Sequence, residues 1–227
     1  MMKIELIETT DSTNAYIKRY VGAEENVIVC AARQTGGKGT KGRSFSSEAG
    51  GVYLSALTFY RDFPAKEAFR VMTHAAVAVC RTAEAFGAVP EIKWANDVFV
   101  YGKKLSGILI ENQVENGRLK YSIVGIGVNA CNDLSAVRDV AVSLSEACGR
   151  KISAEEARGI LIENYLREDT FDDYLSYVRF LGREVEIAEG NETYRAQAVQ
   201  ILGDGRLQVK KNGQIRTLSA AEIKLRL

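Results

Sequence analysis

Two apolar runs, "KKLSGILIENQV" at residues 103–114 and "LKYSIVGIGVNA" at 119–130, are joined by the four residues "ENGR". An Asn-Gly pair accepts the positive φ angles that a tight hairpin turn demands, so Asn116 and Gly117 predict that the two runs lie antiparallel. "IKWANDVFV" (92–100) reads as a third strand just before them, and the three together predict a sheet meander. "NVIVCAA" (26–32) is a β-branched run of the buried-strand kind, and "GGVYLSALTF" (50–59) alternates enough to be another strand. "AKEAFRVMTHAAVAVCRTAEAF" (65–86) supplies a helix to cover such a sheet, with Phe69, Met72, Ala76, Val79 and Cys80 at helical spacing. His74 falls inside it, where packing or hydrogen bonding is the ordinary role.

Further along, "SAEEARGILIENYLREDTFDDYLSYVRFL" (153–181) opens with Ser153 and Glu156 at capping-box spacing and predicts one long helix or two shorter ones. After Leu181 the texture changes to short strand-like runs punctuated by "EGN", "GDG" and "KNG", the close spacing of a small barrel. A boundary near residue 180 follows, giving units at 1–180 and 181–227, and the 227 residues suffice for one sizeable core plus a small module. The net charge of +1 argues against broad, nonspecific nucleic-acid binding, so any basic site is local. Cys30, Cys80, Cys131 and Cys148 form no Cys-x-x-Cys pair, and one His cannot complete a structural zinc set. Neither a charged-then-apolar leader nor an apolar run of roughly 18 residues is present, so a cytoplasmic protein with reduced thiols, not a membrane protein, is expected.

The local basic site is easy to find. "RQTGGKGTKGRSF" (33–45) packs four glycines and four basic side chains into thirteen residues. Glycine lets backbone approach a ligand closely, and exposed N–H groups beside Lys and Arg neutralise an anion. Residues 37–44 nearly match a P-loop, but Arg43 stands where Lys is required and the loop runs on toward a strand, not a helix. A solvated surface loop fits glycine and charge equally well. Three other stretches carry similar two-sided signals. Ser12, Thr13 and Asn14 either cap the helix begun by "AYIKRY" or present hydroxyl and amide groups to a ligand. "KWAND" (93–97) sets a cation, an amide and a carboxylate beside a strand, with the only Trp. Lys104 sits in an expected turn before an apolar strand, where lysines are commonly idle.

Taken in order, "STN", "QTGGKGTKGR", "KWAND", "KKLSGILIE", "GIGVN" and a small C-terminal β module resemble the biotin protein ligases over essentially the whole chain. The resemblance implies an α+β fold: a mixed β-sheet flanked by helices, related to class II aminoacyl-tRNA synthetases, followed by an SH3-like β-barrel. It also implies a reaction. Biotin's carboxylate attacks the α-phosphate of ATP, biotinyl-5′-adenylate and pyrophosphate form, and a lysine of a biotin carboxyl carrier protein takes the biotinyl group. By the same resemblance Ser12, Thr13, Asn14 and Gln34, with Lys38, Gly39, Thr40, Lys104 and Gly107, belong to the biotin site. Lys38, Arg43, Lys93, Asn96, Asp97, Lys104 and Asn129 belong to the ATP and adenylate site. Lys104, Asp97 and Lys38 are the implied catalytic residues, and Asp97 the implied Mg²⁺ ligand. ATP with Mg²⁺ and biotin are then substrates and metal, with no tightly bound cofactor. A second role for Asp97, orienting or deprotonating the incoming lysine, is consistent with a carboxylate at that place.

The chain departs from the family pattern in four places, Lys38, Thr40, Phe45 and Ala95. Where that loop commonly reads G-R-G-R-x-G-R-x-W, this one reads Gly37-Lys38-Gly39-Thr40-Lys41-Gly42-Arg43-Ser44-Phe45. Lys38 keeps the charge but loses the planar fork. Thr40 loses the charge, so a looser hold on the adenylate is expected unless Lys41 takes its place. Ala95 replaces the proline of "KWPND", a change of stiffness more than of chemistry. A first strand starting at residue 2 leaves no room for the helix-turn-helix domain of larger members, so a ligase without DNA binding is expected. A homodimer is in keeping with a family that often pairs through sheet edges. The alternatives are a lipoate or octanoate ligase or transferase of the same fold, and a noncatalytic biotin sensor.

Overall fold

The computed structural model describes residues 2–219 and 223–226. Among them the strands form two sheets. The larger contains β1 (Lys3–Thr10), β2 (Val27–Gln34), β3 (Val52–Phe59), β4 (Pro90–Lys93), β5 (Asp97–Val100), β6 (Lys103–Glu115) and β7 (Arg118–Val128), in the order β1-β2-β3-β7-β6-β5-β4. Only the β1–β2 pair is parallel. The β6–β7 hairpin turns at Asn116 and Gly117 with φ of 50° and 73°, as the Asn-Gly pair predicts.

Two expectations need correction. The run at 92–100 is not one strand but two, β4 and β5, folded back on each other with Lys93 opposite Asp97. The break is enforced from outside: Asn96 donates from Nδ2 to the Ile108 carbonyl at 3.0 Å and accepts the Ile108 N–H at its own carbonyl, also at 3.0 Å, which pins the turn to β6. The Trp94–Ala95 peptide bond in that turn is cis. Lys104 lies within β6, not in a turn; the turn is one step earlier, at Tyr101 and Gly102, with φ of 52° and 72°.

Period-2 alternation decides which core each side chain joins. Ile28 and Cys30 of β2 enter the main interior with Leu54, Ile108 and Ile126, while Val27 and Val29 face a smaller cluster with Ile17, Leu57 and Ile123. Each such side chain contributes about 1.5–3 kcal/mol on burial. The main face is covered by α2 (Phe69–Ala85), whose alanines at 75, 76, 78 and 83 are buried, and by α4 (Ala154–Tyr165) and α5 (Phe171–Ser176). The smaller face is covered by α1 (Thr13–Tyr16) and the 3₁₀ stretch Ile17–Ala23 that continues it.

Residues 153–181 therefore form the two shorter helices of the alternatives expected. Ser153 accepts the Glu156 N–H at 3.1 Å, but boxes with both halves formed occur at Ser143/Glu146, opening α3 (Leu144–Cys148), and at Thr170/Asp173. Of the packing or hydrogen-bonding role expected of it, His74 has the second: its ring bonds the Asp169 carboxylate and the Tyr165 carbonyl, tying α2 to the link between α4 and α5.

β8 (Glu184–Glu189), β9 (Glu192–Ile201), β10 (Leu207–Lys211), β11 (Gln214–Leu218) and β12 (Ile223–Arg226) make the second sheet, antiparallel in the order β11-β10-β9-β8-β12. Its interior, including Ile187, Ala198 and Val209, is continuous with the main core. A mixed sheet flanked by helices and followed by a small antiparallel β module is the α+β architecture expected. All four cysteines are free, with Cys30 and Cys80 buried, and burial pushes the Cys30 thiol up to about 12. No described helix is long and apolar enough to cross a membrane.

Candidate active site

A cavity opens where the N-terminus of α1, the glycine-rich loop after β2, and strands β5, β6 and β7 converge. Its floor is bare backbone. Gly107 of β6 and Gly127 of β7 are register partners, and Gly125 lies two residues earlier along β7. The Phe45 ring rests on this floor: a Cβ at Gly127 would lie 2.5 Å from Phe45 Cε1, and one at Gly107 3.3 Å from Phe45 Cε2 and 3.1 Å from Lys104 Nζ. A Cβ at Gly125 would strike the Asn14 side chain.

One end of the cavity is polar and nearly dry. Ser12, Thr13 and Asn14 line it and are buried. Ser12 precedes α1 without capping it through its side chain. Gln34 Oε1 accepts the Thr13 N–H at 2.7 Å and lies 3.0 Å from Thr13 Oγ1. Behind them, fully buried Ser55 sets its hydroxyl 2.8 Å from Thr13 Oγ1 and 2.6 Å from Asn14 Oδ1. These three oxygen–oxygen contacts share only two hydroxyl hydrogens, one from Thr13 and one from Ser55. These three contacts are thus one hydrogen short.

Asn14 is oriented from its other side by Glu111, which accepts from Asn14 Nδ2 at 3.0 Å and from Lys18 at 2.6 Å. Burial alone would raise the Glu111 carboxyl; the bonds from Lys18 and Asn14 outweigh it and hold the group below the usual range. Gln34 extends the network toward the loop, since its Nε2 donates to Ser47 Oγ at 2.9 Å and Ser47 donates to the Phe45 carbonyl at 2.9 Å.

The other end is charged. Lys104 Nζ lies 2.8 Å from Asp97 Oδ1, and Asn96 Nδ2 reaches the same oxygen at 3.3 Å. Lys38, Gly39, Thr40 and Arg43 of the loop line the same cavity. The loop is folded, not splayed: Lys38 bridges Ser44, the Gly39 N–H meets the Arg43 carbonyl at 2.6 Å, and Arg43 reaches Thr40 Oγ1 from Nη2 at 3.3 Å. Lys104 Nζ stands 5.9 Å from the centre of the Phe45 ring.

Of the sequence-derived site residues, Ser12, Thr13, Asn14, Gln34, Lys38, Gly39, Thr40, Arg43, Asn96, Asp97, Lys104 and Gly107 all line this one cavity. Lys93 and Asn129 do not. Lys93 Nζ lies 5.0 Å over the Phe99 ring, and the Asn129 amide bonds the Lys104 carbonyl at 3.4 Å and Asn132 at 3.1 Å. Reading the sequence missed Phe45 as a wall, Gly125 and Gly127 as floor, and Ser47 and Ser55 as supports. Alternate glycines in "GIGVN" signal close approach by a ligand or neighbouring chain, and a hydroxyl inside the apolar run "VYLSALTF" signals a buried bond. Among the described residues no group of three or more His, Cys, Asp or Glu side chains is arranged to hold a metal ion. A cation carried mainly by phosphate oxygens, with one carboxylate from the protein, suits that donor set.

The sequence profile of the Biotin/lipoate A/B protein ligase family matches residues 6–129, and that of the Biotin protein ligase C terminal domain matches residues 180–226. The bifunctional ligase/repressor BirA of Bacillus subtilis is 34% identical over 223 residues, covering 89% of this chain and 67% of that protein. The biotin--[acetyl-CoA-carboxylase] ligase of Paracoccus denitrificans is 32% identical over 174 residues, 71% of each chain. Among solved structures, the biotin protein ligase of Aquifex aeolicus in complex with biotin and ATP matches with a TM-score of 0.73 at 25% identity, covering 100% of this chain and 99% of that one.

Proposed function

The chain belongs to the biotin/lipoate A/B protein ligase family, and from that membership we propose that it is a biotin protein ligase, activating biotin with ATP and passing the biotinyl group to a lysine of a biotin carboxyl carrier protein. One observation carries the choice of biotin: the polar end of the cavity, where three contacts share two hydrogens. A cyclic urea brings two N–H donors and a carbonyl acceptor to such a site. The dithiolane of a lipoyl group brings none, and a site built for missing N–H groups discriminates by on the order of 10⁴. The biotin-ligase relatives and the biotin- and ATP-bound neighbour support the same reading.

Residues 1–180 would carry the chemistry. With the ureido ring at Ser12, Thr13, Asn14 and Gln34, the apolar part of biotin crosses the glycine floor beside Phe45 and its carboxylate comes to Lys104. Carboxylate and α-phosphate repel, and Lys104 with Lys38 and Arg43 neutralises both while holding them in line. A carboxylate oxygen bonds to the α-phosphorus as the α–β bridging bond breaks and pyrophosphate leaves. The carrier lysine, once deprotonated, then attacks the acyl carbon and AMP departs. Asp97 is suited to orient that amine or take its proton. Mg²⁺, when bound with the nucleotide, supplies charge neutralisation at the phosphates, with Asp97 its protein ligand. Asn129 acts from behind, on the Lys104 backbone.

The test is transfer: ATP, Mg²⁺, labelled biotin or lipoate and an acceptor carrier domain are incubated with the protein, and label is sought on the carrier lysine. Label from biotin is expected. Label from lipoate alone, or binding of biotin without transfer, would defeat the proposal.

A further inference from the structure

Four consecutive residues at the β4–β5 turn, Trp94 to Asp97, are held by three parts of the molecule: strand β6, helix α5 and the C-terminal module. Asp97 is held by Lys104, Asn96 by Ile108 of β6, and the Ala95 carbonyl by the buried Tyr174 hydroxyl of α5 at 3.3 Å. Trp94 is held by the C-terminal module. Its indole Nε1–H donates to the Gly205 carbonyl at 2.9 Å in a buried contact between residues 111 positions apart. That carbonyl belongs to a rigid turn between β9 and β10, where the Gly205 N–H bonds Leu202 at 2.8 Å, Leu202 bonds Arg206 at 2.8 Å, and Asp204 accepts from Arg206 Nε at 2.8 Å. Gly205 has φ of +87°, and a Cβ there would run into the Phe69 ring, which itself packs edge-on against Tyr174 at 5.6 Å. Only glycine satisfies both the backbone angle and the contact.

We propose that the turn at residues 203–206 is a positioning element for the Asn96–Asp97 end of the active site, with Trp94 and Gly205 as the positioning pair. The C-terminal β module thereby acts on the nucleotide end of the reaction while leaving the biotin end alone: Thr13, Asn14, Gln34 and Ser55 bond to one another, to Glu111 and to Ser47. This rests on the functional reading above, for which Asp97 is catalytic.

Trp94 is the sole tryptophan, so its emission reports the docking directly. In Gly205→Ala the expected result is a red-shifted emission together with a tenfold or greater loss of kcat for biotin-dependent pyrophosphate release, and a biotin Kd within about twofold of wild type. Trp94→Phe, which keeps a ring and deletes the donor, is expected to lose kcat with the same unchanged biotin Kd. Ile187→Val, which loosens the β module's interior elsewhere, is expected to keep both emission and kcat. An emission shift with unchanged kcat, no shift at all, an equal loss of biotin affinity, or a matching kcat loss in Ile187→Val would overturn the proposal. A wild-type protein that releases no pyrophosphate with biotin refutes the functional reading and this proposal with it; an active wild type with any of those variant results refutes only the positioning role.

Discussion

Ser55→Ala removes a buried hydroxyl that stands behind the cavity wall and does not line it, so its consequences report on the network alone. In the wild type that hydroxyl faces Thr13 Oγ1 at 2.8 Å and Asn14 Oδ1 at 2.6 Å. Alanine leaves Asn14 Oδ1 without its partner in a buried setting, at a cost of about 1–3 kcal/mol. Thr13 can still donate to Gln34, and Asn14 is still held by Glu111 through Nδ2, so the lower half of that range is expected. For a chain of this size 1 kcal/mol lowers Tm by about 2–4 °C. The effect on ligand is larger in consequence. If the urea is read by Thr13 and Asn14, loosening them costs one to two tenfold steps of about 1.4 kcal/mol each, and KM for biotin rises about 10–100-fold. The Lys104–Asp97 pair makes no recorded bond to Ser55, so kcat should stay within about twofold. Pyrophosphate release followed across a biotin titration at saturating ATP measures both constants. An unchanged biotin KM with a fallen kcat would refute the reasoning, because it would place Ser55 at the charged end.

Thr40 lines the cavity where the family loop carries arginine, so Thr40→Arg is expected to slow release of the adenylate by about tenfold, one charge-assisted bond being worth about 1.5–3 kcal/mol before repulsion from Arg43; equal release rates in a chase experiment would contradict this. Gly127→Ala should drive the Phe45 ring off the floor, raising the biotin Kd and the protease sensitivity of residues 37–45; an unchanged Kd would mean the ring yields without consequence. His74→Phe leaves the buried Asp169 carboxylate and the Tyr165 carbonyl without their shared partner. A Tm several degrees lower with full activity per folded molecule is expected. Glu111 is held below the usual carboxyl range, so the stability it contributes is present above its unfolded value of about 4.3 and lost as pH falls through the lower folded value. Glu111→Gln should flatten the acid limb of a Tm–pH profile below about pH 4.5, and an unaltered limb would assign it to other groups.

Local signals carried most of the fold. The Asn116–Gly117 turn, the β-branched run of β2 and the glycine loop depend on neighbours in sequence, and each lies where its residues predict. The turn expected at Lys104 lies at Tyr101 and Gly102, a local slip; the larger failures are nonlocal. The break at Trp94–Asn96 is made by Ile108 on another strand, and the Asn14–Ser55 contact spans 41 positions. Motif spacing gathered twelve of the site residues into one cavity, but it gives a place on the chain and not a direction for the side chain. Asn129 shows this: it belongs to the motifs, and its amide is spent on the Lys104 carbonyl and Asn132, outside the cavity. The dependence of Trp94 on Gly205 could not be read from either segment alone.

Biotin-dependent exchange of pyrophosphate into ATP, run beside lipoate and with no carrier present, isolates the adenylation step. The hydrogen count at Thr13, Gln34, Ser55 and Asn14 predicts exchange with biotin and a kcat/KM for lipoate lower by on the order of 10⁴. Equal exchange with the two acids, or exchange with lipoate alone, would contradict the reading of this cavity as a urea-recognising, carboxylate-activating site.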